Sequence, residues 1–258
     1  MVYFFAAWPL WAILVSTMAG LALCSELGYR LGRAASRPPD GAAATDLGAT
    51  LGGLLGLLGL LLGFTFSMAG DRFDTRKNLV VEEANAIGTA WLRTDLVPEP
   101  QRGDARRALR AYVDARLDAA VVGHRDAAIA RSEQLQVQMW AAARAAAAAA
   151  PTPTVALFVS AVNEVIDMHG RRLAQALRNP IPPTILGTLY LVAFLVMAAL
   201  GYARGLTGDR SLVATFVLLV VLAVVLTVII DFDRPYEGLL TVSQQAMRDV
   251  KASMGAEP

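Results

Sequence analysis

The chain has 258 residues, of which 55% are hydrophobic and only 17% are charged. A soluble domain of this length normally carries about 25% charged residues. The formal net charge of +1 argues against a nucleic-acid-binding protein, which needs a basic face. The single cysteine, Cys24, excludes a framework of internal disulfides. The composition therefore favours a membrane protein.

The first apolar run, Val2 to Leu23, is long enough to predict a transmembrane helix. Pro9 is expected to start or kink this helix. Glu26 closes the apolar run, and residues 36–45, which contain Pro38 and Pro39, are predicted to form a loop.

The longest uninterrupted pattern runs from Leu47 to Asp95. Its first part, Leu47 to Gly70, contains no charge and can cross a hydrocarbon core of about 30 Å. The part that follows is charged but keeps apolar residues at three- and four-residue steps. We therefore expect one continuous helix that crosses the membrane and continues into water.

Four glycines mark one face of this second span: Gly52, Gly56, Gly59 and Gly63. Glycine lets two helices approach closely in lipid, where hydrophobic drive between helices is small. Two interpretations follow. Either this face packs against the other spans of its own chain, or the helix is repeated around the axis of a homo-oligomer.

In the oligomer interpretation, the face opposite the glycines is expected to line a pore. Bulky side chains just before the charged half would form its neck, because water leaves a narrow apolar passage. The predicted pore and neck residues are Leu57, Leu61, Phe64, Thr65, Phe66 and Met68. The hydroxyl of Thr65 is expected to face a partly dehydrated ion.

Helical periodicity continues after the turn at Pro98 and Pro100. Three amphipathic helices are predicted over residues 101–122, 127–150 and 154–178, and no segment alternates as a strand does. Two further spans follow at 184–206 and 211–230, joined by a turn over 207–210. The polar tail that begins at residue 231 is expected to be helical in part.

This order predicts an all-α protein with four transmembrane helices. Its parts are a transmembrane hairpin (1–70), a helical domain (71–183), a second transmembrane hairpin (184–230) and a C-terminal segment (231–258). Four spans put both termini and the helical domain on one side of the membrane. The excess of arginine and lysine next to the membrane on that side favours the cytoplasmic face of the inner membrane.

No residue pattern in the sequence indicates a catalytic site. The two histidines, His124 and His169, have no metal-ligand spacing around them. No strand precedes the glycines of the second span, so they do not form a phosphate-binding loop. The centres of the spans carry no ionisable residue, which disfavours an intramembrane enzyme or a motor stator. We expect a protein that is not an enzyme and that has no metal and no cofactor.

Polar residues gather just outside the predicted spans. They form a solvated, salt-bridged face, or some of them, such as Glu83, Asn85 and Asn163, join the helices in a buried polar network or line a vestibule. The residues are Arg72, Arg76, Glu83, Asn85, Asn163, Glu164, Asp167, Asp231, Asp233 and Arg234. No ring of charge lies inside a span, so any ion discrimination falls to the neck and to charges outside it.

Three stretches resemble the bacterial bestrophin-like domain family: GFTFSMAGDRFDTR (63–76), EANAIGT (83–89) and DFDRPYEG (231–238). The order of spans is similar too. The family is distantly similar to bestrophins, which carry a Tyr-Asp-Arg-Trp-Trp-Glu stretch, whereas both tryptophans are missing from Asp71–Asp74 here. Animal bestrophins bind calcium through consecutive acids, whereas Asp231, Asp233 and Glu237 are scattered.

The resemblance implies a homo-oligomeric ion channel, a pentamer, whose second span lines an apolar neck. Its expected partners are the lipid bilayer, other copies of the chain and small inorganic ions. The alternative is a non-conducting membrane scaffold or sensor that binds a partner through its cytoplasmic helices.

Overall fold

The computed structural model describes residues 8–35, 41–121, 123–175, 181–208, 212–234 and 238–255. Its elements are helices: α1 (Leu10–Ala34), α2 (Gly41–Arg93), α3 (Gln101–Asp118), α4 (Arg125–Ala149), α5 (Pro153–Leu173), α6 (Pro183–Thr207), α7 (Leu212–Asp233) and α8 (Gln245–Ser253). Helices α1, α2, α6 and α7 are long and apolar enough to cross a membrane. The predicted all-helical fold with four candidate spans is therefore confirmed. The chain divides into a first unit, 1–72 with 181–234, and a second unit, 73–180 with 235–258.

The first span differs from its prediction at its C-terminal end. Helix α1 begins at Leu10 and continues to Ala34, eleven residues beyond the predicted end of the first span at Leu23. Glu26 does not end the helix, and it pairs with Arg30, one turn later, at 2.8 Å. Pro9 precedes the first helical residue, where its missing N–H costs nothing. Residues 1–7 lie outside the described residues.

The second span and the charged helix after it are one helix, as predicted. Helix α2 has 53 residues and ends at Arg93, followed by a short 3-10 turn, Thr94–Leu96. It begins at Gly41, so residues 41–45 of the predicted loop are helical. Residues 36–40 of that loop lie outside the described part of the chain.

The remaining boundaries agree with the predictions to within a few residues, except at one end. Helix α3 ends at Asp118 rather than at residue 122. Helix α5 is α-helical to Leu173, the chain stays helical to residue 175, and the predicted end at residue 178 lies outside the described residues. Thr152 caps α5 by accepting a hydrogen bond from the N–H of Val155. The predicted stop at residues 179–180, the turn at 209–210 and the tail motif at 235–237 fall outside the described residues.

In the first unit, α1 and α6 pack backbone to backbone through glycines that the sequence analysis did not single out. A Cβ atom added to Gly28 would lie 2.0 Å from the carbonyl oxygen of Ala198. One added to Gly201 would lie 2.0 Å from the carbonyl oxygen of Ser25. Both distances are far below van der Waals contact, so glycine is required at these positions.

Changing Gly201 to alanine is therefore expected to lower the thermal stability of the protein in detergent. The backbones of α1 and α6 must separate to admit the methyl group, and such overpacking typically costs about 1–3 kcal/mol. Gly187→Ala is the matched control, since it lies on the same helix and its added Cβ would meet nothing within 4 Å. Equal melting temperatures for the two variants would contradict the observed packing.

The core of the second unit joins the C-terminal part of α2 to α3, α4, α5 and α8. Its fully buried residues include Ile87, Leu109, Phe158 and Met247. At the end of α2, the guanidinium groups of Arg106 and Arg110 on α3 lie against the ring of Trp91. This unit therefore has its own hydrophobic core.

Candidate functional site

The membrane part of α2 is the least covered of the four candidate spans. Only 6% of its most apolar window is buried, against 22% to 33% in α1, α6 and α7. A Cβ atom added to Gly52, Gly56, Gly59 or Gly63 would meet nothing within 4 Å. Among the described residues, the chain thus leaves this glycine face open. The interpretation that the glycines pack against spans of their own chain is wrong.

The opposite face of α2 is the covered one. Leu58 and Ala69 are buried in the core of the first unit, and Leu61 and Met68 pack against that core. Thr65 is buried, and its hydroxyl donates a hydrogen bond to the carbonyl oxygen of Leu61 at 2.8 Å. In this chain Thr65 is thus covered and Leu61 and Met68 are half-buried, and the expectation that this face lines a pore stays a prediction.

The predicted neck residues are consequently divided between two faces. Leu61, Thr65 and Met68 point toward their own chain. Leu57 and Phe64 are exposed, Phe64 by 68%. Phe66 is 42% exposed and makes an edge-to-face contact with Phe232 of α7, with ring centroids 5.5 Å apart. A pore-lining role stays a prediction for these residues.

The polar residues after the last span tie separate segments of the first unit together. Asp233 accepts a hydrogen bond from the N–H of Ile181 at 3.0 Å. Arg234 donates to the carbonyl oxygen of Trp8 at 2.5 Å. Asp231 is also buried. No group of three or more acidic, histidine or cysteine side chains suited to a metal ion occurs among the described residues.

A buried ionic cluster lies in the second unit around Glu83 of α2, which is fully buried. Its carboxylate accepts hydrogen bonds from Tyr112 at 2.6 Å, from Arg116 at 2.9 Å and from Arg172. Because Tyr112 donates its proton to Glu83, its oxygen accepts the hydrogen bond from Nδ1 of His169, at 3.2 Å. The cluster joins α2, α3 and α5.

The other predicted members of a polar network lie elsewhere. Asn85, Asn163, Glu164 and Asp167 are exposed, and Asn163 donates to Asp167 at 3.1 Å. Arg76 is buried, and Arg72 is half-buried. The sequence analysis missed the partners of Glu83, namely Tyr112, Arg116 and Arg172, and it missed His169, which contacts Tyr112. The available signal was position, since Arg116 follows Tyr112 by one turn on the inward face of α3.

Burial and charge act in opposite directions on the pKa of Glu83. Burial raises it, but the charges of Arg172 and Arg116 and the Tyr112 hydrogen bond lower it to about 2 overall. For His169, burial and the nearby arginines lower the pKa from 6.5 to about 4. At neutral pH the cluster therefore holds a carboxylate, two guanidinium groups and a neutral imidazole.

The second unit is expected to lose stability in two acid windows. From pH 6.5 to about 4, the unfolded chain protonates His169 before the folded one does. From pH 4.5 to about 2, the unfolded chain protonates Glu83 first. Hydrogen exchange of α3 and α5 as a function of pH measures both losses. The variant His169→Phe should remove the upper loss, and His124→Gln, at an exposed histidine, should not. An upper loss that persists in His169→Phe would contradict this assignment.

Comparison with known proteins agrees with this architecture. A family model described as "Bestrophin-like domain" matches residues 18–247. A crystal structure of a bacterial bestrophin homologue from Klebsiella pneumoniae is similar at 16% identity and a TM-score of 0.64, covering 97% of this chain and 100% of that one. A mutated form of that homologue gives 15% identity and a TM-score of 0.65, covering 95% and 97%. No curated protein matches significantly.

The fold thus defines an all-helical membrane protein of bestrophin type. The chain belongs to the bestrophin-like family, because the family model covers most of its length.

Proposed function

We propose that this chain is a subunit of a homo-oligomeric ion channel. The observation that supports this most directly is the open face of α2, which carries no charge from Leu47 to Gly70 and which the same chain leaves uncovered. Family membership and the bestrophin-type fold agree with a channel. Several copies of α2 around one axis would cover this face and enclose a pathway for small inorganic ions.

The proposed assembly is a pentamer in the bacterial inner membrane. The helical domain and both termini face the cytoplasm in this proposal. The neck is assigned to exposed residues of α2, with Leu57, Leu60 and Phe64 as the bulky side chains beside the glycines. An apolar ring of this kind closes a pore by excluding water rather than by plugging it.

Reconstituted protein tests the proposal when its oligomeric mass and its ion flux are measured on the same sample. The variant Phe64→Ala is expected to pass ions faster than the wild type, since the smaller side chain widens the apolar passage. Leu61→Ala is the control, because Leu61 packs against its own chain and its loss should lower stability instead. A folded oligomer that passes neither cations nor anions, in the wild type and in Phe64→Ala, would end the channel proposal.

The alternative function is a scaffold or sensor that binds a partner through its cytoplasmic helices. Exposed apolar side chains on the second unit favour it, chiefly Val137, which is 71% exposed, and Trp140 on α4, with Leu157 on α5. This alternative would be supported by a folded oligomer that passes no ions and that no longer binds its partner in the variant Val137→Asp.

A further inference from the structure

A cavity in the second unit, here called the α3–α8 cavity, lies between the C-terminal end of α3 and one side of α8. Its volume is about 690 Å³, within the range of about 300–1,000 Å³ that is typical of pockets for small organic molecules. The proposed ion pathway uses none of its lining residues. The described residues that line it are Leu117, Ala120, Val121, Gln244, Arg248, Lys251, Ala252 and Gly255.

The α8 wall of the cavity is held in place by contacts on its other side. Met247 and Val250 of α8 are buried in the core of the second unit. At the C-terminal end of α8, Arg110 of α3 donates a hydrogen bond to the carbonyl oxygen of Met254 at 2.8 Å. The cavity is therefore formed before a ligand arrives, which lowers the cost of ordering on binding.

The α3 wall of the cavity is apolar. Leu117 is half-buried, and Ala120 and Val121 are exposed, Val121 by 49%. Covering these side chains with the apolar part of a ligand removes hydrocarbon surface from water, which favours binding. This wall therefore suits a hydrocarbon chain.

The α8 wall carries positive charge that the chain only partly neutralises. The ammonium group of Lys251 pairs with Asp114 at 2.6 Å. Arg248 is exposed, and within the described residues its guanidinium donates only to the neutral amide oxygen Oε1 of Gln245, at 3.2 Å. The described residues that line the cavity include no acid. A guanidinium group in this position can bind a carboxylate through two parallel hydrogen bonds.

We infer that the α3–α8 cavity binds a small amphipathic anion of the medium-chain carboxylate class. The carboxylate contacts Arg248, and the hydrocarbon chain covers Leu117 and Val121. A neutral ligand or a cation would leave Arg248 without a counter-charge, and a small inorganic anion would leave the apolar wall in water. The inference goes beyond the proposed channel, because the ligand joins α3 to α8 within one chain.

Hydrogen exchange of the full chain in lipid nanodiscs tests the inference, with sodium octanoate as the probe. Octanoate is expected to slow exchange in α8 and in the last turn of α3, and the effect should saturate. Octanol has the same chain without the charge, and acetate has the charge without the chain. Each should bind at least about tenfold more weakly, since each loses one of the two contacts.

Two substitutions separate the contributions of the two walls. Arg248→Gln should weaken octanoate binding by about tenfold, the usual size for one hydrogen bond to a charged group. Val121→Asp should weaken it as well, because it places a negative charge on the apolar wall. Both side chains are exposed, so both variants should fold. Arg131→Gln, at an exposed arginine of α4, is the control and should bind octanoate as the wild type does.

Each outcome supports or overturns a stated part of the inference. If octanoate does not slow exchange in the wild type, the cavity is not a site for such anions. An equal effect of octanol overturns the need for an anion, and an equal effect of acetate overturns the role of the apolar wall. Unchanged binding in Arg248→Gln overturns the contact with this residue. The three ligands are compared on the wild type, so this part of the test does not depend on a variant, and none of it depends on ion flux.

Discussion

Replacing Glu83 by glutamine is expected to destabilise the second unit by about 3–5 kcal/mol, the usual cost of removing one partner of a buried ion pair. Arg116 and Arg172 would keep their charges inside the protein with no carboxylate between them. Tyr112 would also lose a charged hydrogen-bond acceptor. Chemical unfolding followed by hydrogen exchange of α3 and α5 measures this effect in the full chain.

The neighbouring residue supplies the control. Glu82 is exposed and has no partner among the described residues, so Glu82→Gln should change stability by less than about 0.5 kcal/mol. The two substitutions are chemically identical and one position apart. Equal effects at both positions would mean that Glu83 is not held by Tyr112, Arg116 and Arg172.

Gly59→Leu is expected to abolish the oligomer in detergent or to lower its melting temperature strongly. The added side chain meets nothing in its own chain, so the subunit itself should still fold. Close approach of a second copy to this face would no longer be possible, because leucine holds the helices apart. Native mass spectrometry and thermal melts measure the two effects.

Gly187→Leu on α6 is the matched control, since this glycine is also open within its own chain. It should leave the oligomeric mass unchanged. If Gly59→Leu kept the wild-type mass and melting temperature, the glycine face of α2 would contact lipid rather than another subunit.

Much of the fold follows from local patterns. Helix α2 is predictable as one element because no proline occurs between Pro39 and Pro98, and its apolar residues keep one period across the change from uncharged to charged sequence. The end of α1 was not predictable in this way. The part of α1 beyond Leu23 packs against the backbone of α6 through Gly28 and Gly32, and this contact comes from a distant part of the sequence.

The glycines illustrate what spacing leaves open. Gly52 and Gly56 on α2 are four residues apart, and so are Gly201 and Gly205 on α6. The first pair is open, whereas the second pair touches the backbone of α1. Identical local patterns thus serve different contacts, because the choice of neighbour is a property of the tertiary structure.

The candidate site shows the same division. The inward position of Glu83 follows from its phase relative to Val80 and Ile87, but its partners on α3 and α5 come from distant parts of the sequence. The assignment of the neck residues depended on how α2 is rotated about its own axis. Sequence periodicity separates the two faces, and only the packing of Leu58 and Ala69 shows which face the chain itself covers.

The backbone contact between α1 and α6 has a mechanical consequence. Two helices that touch through Gly28 and Gly201 have no flexible side chains between them to absorb a displacement, so this pair is stiff. In the same unit, a much smaller share of α2 is buried, and α2 packs against the rest of its own chain on one side only. In an isolated subunit, thermal motion should therefore be larger in the membrane part of α2 than in α1 and α6, and assembly that covers α2 should reduce it.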